Sequence, residues 1–286
     1  MTFKTINLKE FFFSSDIKEN KALRLFLAAA LSLGTSATVY SGLSLGLALL
    51  AVLAAANAFL ALLGKMIPKD AAGLAYGLMV VGFSMMATML AEAFLPVASE
   101  ALGMFLPFVC INAFILGRKK QGLKREAMGQ ALEMGTGFAA ILFAVASLRE
   151  LAGSGAWFGI SITDGPISVF SVVPGAFFSL ALVIAAIRKA AAAKGKEMDL
   201  LLGKSLGSPL ILAMALLVYS YGFDFLSSAA SALWTLAGAA LLCFVLSGVN
   251  DRLEAAPIPK SFKGLPITLI TTGFAAIALV GLSGII

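Results

Sequence analysis

From Leu25 to Gly64 the chain carries no charged side chain. That is about forty residues, twice the roughly twenty that one helix needs to cross a bilayer. Similar runs recur to the C-terminus, so the chain reads as a polytopic membrane protein. The composition agrees: 60% of residues are hydrophobic and 13% charged, against about 25% charged in soluble domains. The runs are too continuous and too apolar for the short alternating strands of a membrane barrel. The expected fold class is therefore all-α.

About nine transmembrane helices are expected, over 22–39, 42–63, 72–97, 101–117, 130–152, 168–188, 206–223, 227–248 and 265–285. Basic residues cluster between them: Lys18, Lys21 and Arg24; Lys65 and Lys69; Arg118 to Arg125; Arg188 to Lys204; Arg252 to Lys263. With nine spans, all five clusters fall on one side, which the positive-inside rule assigns to the cytoplasm. Topology thus accounts for the net charge of +6, and no nucleic acid is expected as a partner. The N-terminus is expected inside and the C-terminus outside, with Arg149 as the exception to the charge pattern. Residues 1–21 mix charges with Phe11, Phe12 and Phe13. They read as a cytoplasmic or interfacial segment rather than a removable signal peptide. Trp157 and Trp234 fall near span ends, as interfacial anchors do.

The spans repeat in blocks of three. Ala139-Ala140-Ile141-Leu142-Phe143 resembles Ala239-Ala240-Leu241-Leu242-Cys243, and Arg149-Glu150-Leu151 resembles Arg252-Leu253-Glu254. An odd number of spans per block inverts consecutive blocks, and inverted repeats place sites near the midplane. Chance similarity among Ala/Leu-rich helices is the alternative.

The chain has no histidine, which excludes His-ligated zinc, bis-His haem, Rieske centres and His general bases. The two cysteines, Cys110 and Cys243, cannot supply the four thiolates of an iron–sulfur cluster. No metal site is expected. Two spans look broken: span one at Ser32-Leu33-Gly34-Thr35-Ser36, and span four around Pro107 and Asn112. Backbone groups freed there must line protein or a wet cavity. Gly34, Pro107 and Asn112 are therefore candidates for an ion path, with Glu92 and Glu133 as carboxylates inside apolar spans. The alternatives are a proline kink with Asn112 bonding a neighbouring helix, and glutamates that snorkel to an interface.

Leu102-Gly103-Met104-Phe105-Leu106-Pro107, Ile111-Asn112-Ala113 and Leu116-Gly117-Arg118 together resemble the fourth span of Rnf/Nqr membrane subunits. Ser147-Leu148-Arg149-Glu150-Leu151-Ala152-Gly153-Ser154-Gly155 and Val173-Pro174-Gly175-Ala176-Phe177 resemble landmarks of the RnfE/NqrD branch. Residues 22–195 are thus similar to a six-span RnfE/NqrD-type unit. Residues 196–205 form a basic cytoplasmic linker. Residues 206–286 resemble a three-span half of the sister RnfA/NqrE branch, through Ala256-Pro257-Ile258-Pro259-Lys260-Ser261-Phe262-Lys263-Gly264 and Thr271-Thr272-Gly273. The resemblance implies a subunit of an electron-transport complex that couples redox chemistry to Na+ or H+ translocation. It implies flavoprotein and ferredoxin-like partner subunits in a bacterial or archaeal cytoplasmic (inner) membrane.

Family members resemble one another in cysteines of spans one and four that hold an iron–sulfur cluster between paired subunits. Those positions are Ala30 and Ala113 here. Alanine has no lone pair for iron, so the cluster is expected to be absent from this chain. Two other readings stand beside this one: a cluster-free transporter or channel, and a structural docking subunit.

Overall fold

The protein is described by a computed structural model over residues 21–63, 66–68, 71–94, 96, 108–117, 125–163, 166–195, 248–249, 252–253 and 256–283. Residues 1–20 of the expected segment 1–21, Pro107, the linker 196–205, span 206–223 and residues 227–247 of span 227–248 lie outside the described residues.

Among the described residues eight helices follow in order: α1 (Lys21–Leu31), α2 (Val39–Leu63), α3 (Ala72–Phe94), α4 (Phe108–Leu116), α5 (Arg125–Ser154), α6 (Ser168–Ser171), α7 (Val173–Ala193) and α8 (Leu265–Ser283). A 3-10 turn, Leu33–Thr35, separates α1 from α2. Four helices among the described residues are long and apolar enough to cross a membrane: Val39–Leu63, Ala72–Phe94, Met128–Ser154 and Pro174–Ala193. They match expected spans two, three, five and six to within a few residues at most ends. One pair of strands interrupts the helices among the described residues: Ala156–Trp157 and Ile160–Ser161 pair as an antiparallel hairpin.

The centre of the bundle is the crossing of α2 and α5. On α2 the buried side chains include Ser41, Gly42, Leu45, Gly46, Leu49, Val52, Leu53, Ala56 and Leu60, a stripe stepping by three and four as one helix face requires. Gly42-x-x-x-Gly46 lets α5 come close. A Cβ at Gly42 would lie 2.8 Å from Ala146 Cβ, and one at Gly46 would lie 2.8 Å from Ala139 Cα; Gly135 sits the same way against Leu50. Residue numbers rise on one helix as they fall on the other, so the pair is antiparallel. Small residues at a crossing are the usual means of close approach where lipid provides no hydrophobic drive between helices.

α3 flanks α2 through an edge contact of Phe59 with Phe83 at 5.8 Å, and its narrow buried stripe, Ala72, Tyr76, Val80 and Ser84, brings Tyr76 edge-on to Phe114 of α4 at 6.4 Å. The rest of α3 presents exposed Leu74, Leu78, Val81, Met85, Met86, Met89 and Leu90. An apolar surface of that extent suits lipid. α8 packs on α7, with Leu265 and Leu269 buried and Phe274 edge-on to Phe178 at 5.1 Å. Arg188 on α7 donates to the carbonyl of Lys263 just before α8.

Expected span one, 22–39, proves to be shorter. α1 ends at Leu31, and the backbone reverses through Leu33–Thr35 into α2. Hydroxyl groups end it by bonding the freed carbonyls: Ser32 Oγ to Ala28 O at 3.2 Å, Thr35 Oγ1 to Ser32 O at 2.7 Å and Ser36 Oγ to Leu33 O at 2.8 Å. The break lies where the small polar residues placed it, but it terminates the helix rather than interrupting a full span.

Gly46→Val should force α2 and α5 apart and lower stability by about 1–3 kcal/mol. Gly82→Ala, where an added Cβ meets nothing within 4 Å, should leave the detergent melting temperature unchanged or raise it. Equal behaviour of the two variants in a thermal-shift assay would refute the close crossing.

Candidate functional site

α1 and α4 pack antiparallel: Leu31 at the end of α1 lies on Phe108 and Ile111 at the start of α4, while Arg24 reaches the opposite end of α4. Between them Asn112 is fully buried, and its Nδ2 donates to Ser32 Oγ at 2.6 Å. The Ser32 hydroxyl gives its own proton to Ala28 O, so it accepts from Asn112. That orients the carboxamide with Nδ2 toward serine. Asn112 Oδ1 is left buried without a hydrogen-bond partner among the described residues. An orphaned buried acceptor costs on the order of 1–3 kcal/mol.

Gly34 lies half-buried in the 3-10 turn, two residues from Ser32. Ala113 is buried beside Asn112, its carbonyl taking the Tyr76 hydroxyl at 3.3 Å; Ala30 on α1 is half-buried. Their methyl groups offer iron nothing. Cys110, three residues before Ala113, is a half-buried free thiol. One thiol does not fit a cluster that needs four thiolates.

The two glutamates are not brought to Asn112. Glu133 pairs with Lys21 at 2.8 Å, with both side chains about half exposed or more. Lys21 is at the other end of α1 from Ser32, about 16 Å along the axis. Such a pair contributes about 0–1 kcal/mol. Glu92 is exposed on α3, sixteen residues or about 24 Å along the helix from Tyr76.

Three charged side chains that sequence reasoning placed elsewhere, or used only as a repeat landmark, organise this region. Arg24, counted with the loop charges, is buried on α1. Its Nε donates to Ile115 O at 2.8 Å and its Nη2 to Gly117 O, at the C-terminal end of α4. Arg149, the exception to the charge pattern, is buried near the end of α5. Its Nη1 donates to Leu33 O at 3.1 Å and Ser36 Oγ at 3.0 Å. Each guanidinium thus meets the negative, carbonyl end of a helix, where a cation is favoured. Glu150 is also buried, accepting Val39 N–H at 2.6 Å and Gly159 N–H at 2.7 Å. It holds the first residue of α2 and the turn of the hairpin. Phe158 and Gly159 have φ of 52° and 77°, the left-handed pair that a two-residue hairpin turn requires. The signal for Arg149 and Glu150 was available: adjacent charges closing an apolar run are either interfacial or buried in a role.

Apolar spanning helices, lipid-suited outer faces and a helix break sealed from within define a multi-pass helical membrane protein. The sequence model of the family described as "Rnf-Nqr subunit, membrane protein" matches residues 8–184, and the chain belongs to that family. It is 31% identical over 179 residues to the E component of the Na(+)-translocating ferredoxin:NAD(+) oxidoreductase complex of Acetobacterium woodii, covering 60% of this chain and 91% of that protein. It is 31% identical over 189 residues to the E component of an ion-translocating oxidoreductase complex of Pseudoalteromonas atlantica, covering 59% and 82%. The corresponding component of Methanosarcina acetivorans is 28% identical over 193 residues, covering 62% and 90%.

The Asn112–Ser32 bond is testable by a double-mutant cycle. Asn112→Ala and Ser32→Ala should couple by about 0.6 kcal/mol and at most about 1.7 in steric-trap or denaturant unfolding. Strict additivity would remove the bond.

Proposed function

We infer that the chain is a membrane subunit of an Rnf/Nqr-type electron-transport complex that couples redox chemistry to Na+ or H+ translocation, and that it carries no iron–sulfur cluster of its own. The family match over residues 8–184 carries the first part. It is supported by relatives named as E components of ion-translocating oxidoreductase complexes. Ala30 and Ala113 at the ligand positions carry the second. The partners are flavoprotein and ferredoxin-like subunits in a bacterial or archaeal cytoplasmic membrane, with the N-terminus inside and the C-terminus outside.

The architecture proposed is nine spans in inverted blocks of three: a six-span unit over 22–195 and a three-span half over 206–286. Two observations support it. The family match ends at residue 184, and α8, the one described helix beyond it, packs on α7 as an added layer. In this reading the chain contributes structure and part of the ion path, and a partner carries the electrons.

One observation favours a second reading, a cluster-free transporter or channel: the orphaned Oδ1 of Asn112 beside the break at Gly34. Uptake into proteoliposomes that is unchanged by Asn112→Ala would remove it. A docking subunit without chemistry of its own would show neither uptake nor an effect on turnover of the complex.

Iron and acid-labile sulfide per chain, on anaerobically purified protein alone and with its encoded neighbours, test the first reading. We expect none in the protein alone and stoichiometric iron, with flavin, in the multi-subunit preparation. Iron in the protein alone would mean that Ala30 and Ala113 do not mark lost ligands. Absence of any flavin- or cluster-bearing partner would overturn the assignment to a redox complex.

A further inference from the structure

Arg149 is held by more than the end of α1. Its Nε donates to Phe170 O at 3.2 Å, and its Nη2 donates to Ser171 O at 3.3 Å and Val172 O at 3.2 Å. With Leu33 O and Ser36 Oγ, all five guanidinium N–H groups have oxygen partners. Both segments that supply them are interrupted helix. Leu33–Ser36 is the turn between α1 and α2. Phe170–Val172 is the junction where α6 stops and Val172 turns extended, with φ −77° and ψ 158°, before α7 begins. Only Lys21 and Glu133 form an ion pair among the described residues, so the oxygens bonded to Arg149 are four carbonyls and a hydroxyl, with no carboxylate among them.

Unwound carbonyls converging at helix breaks are the oxygen set that inverted-repeat transporters use to coordinate small cations. Here a side chain of the protein occupies that position. We propose that Arg149 is a tethered cation that fills an oxygen-lined cage between the two interruptions and closes this end of the bundle to small monovalent cations. The inference stands apart from the redox reading, because the cage is formed within this chain.

The cage predicts its own ligand. Arg149→Ala leaves four carbonyls and one hydroxyl without the donors that Arg149 supplied, and the species that matches them in shape and charge is free guanidinium. The full chain, reconstituted in proteoliposomes loaded with Na+, should hold its gradient as wild type. Arg149→Ala should leak severalfold faster. Millimolar guanidinium should restore most of the tightness and raise the melting temperature of Arg149→Ala by a few degrees, leaving wild type unmoved. Urea, of the same shape without the charge, should do neither. A leak that guanidinium does not reduce, equal rescue by urea, or an Arg149→Ala protein as tight as wild type would overturn the proposal. Arg149→Lys guards against a variant that fails to fold. Its ammonium has three donors for five acceptors, so it should be intermediate in leak and stability. Arg149→Lys as tight and as stable as wild type overturns the proposal on its own.

Discussion

A helix that stops inside an apolar bundle frees backbone carbonyls that neither lipid nor water satisfies there, and each left bare costs several kcal/mol. The described structure is arranged around that cost. Nearby hydroxyls of Ser32, Thr35 and Ser36 take up part of it within the break itself. The rest is met from a distance in sequence, by Arg149 from α5 for α1 and by Arg24 from α1 for α4. Glu150 does the complementary work at a positive end, accepting the first N–H of α2. The α2–α5 crossing gives these contacts their register. Gly42 and Gly46 bring the helices close enough for the end of α5 to reach the break between α1 and α2.

How much of this was readable depends on what each signal measures. A run of twenty apolar residues reports crossing length directly, so α2, α3, α5 and α7 lie close to where the sequence put them. Ser, Gly and Thr clustered in an apolar run report a weak point, and the break fell at Ser32–Ser36. What the run does not report is direction. Whether the chain continues through the bilayer after a break or turns back depends on what receives the carbonyls, and the receiver, Arg149, lies more than a hundred residues away. Charge counted by position is silent on side-chain direction for the same reason. Counting basic residues by position groups Arg24 with the loop charges and leaves Arg149 as an exception, while both side chains are bonded inward to carbonyls.

Glu92 illustrates a different limit. On α3 the buried positions step by four, Tyr76, Val80 and Ser84. Each step of four residues turns a helix about 40° past a full revolution. Two more steps reach Glu92, by then about 160° from Tyr76 and on the outer face. A carboxylate in an apolar span therefore cannot be assigned to a path until the helix face is known. Glu133 likewise proved to be paired on the surface with Lys21. Asn112 differs in being buried, because it stands on a helix buried on several sides, where most orientations lead inward.

The same charges bear on what the Asn112 acceptor can bind. Arg149 holds Leu33 and Ser36, next to Ser32, and Arg24 lies eight residues along α1 from Ser32, about 12 Å. At roughly 10 Å and an effective dielectric of about 20, each guanidinium opposes a bare cation at Asn112 by about 1–2 kcal/mol. The carbonyl dipoles that would offset this at the two helix ends are already bonded to those guanidiniums. A neutral donor, such as a water or an amide or hydroxyl from a packed partner, satisfies Oδ1 without that opposition. The electrostatics around the break therefore favour a subunit that joins a larger assembly over a carrier that binds a free metal cation at this asparagine.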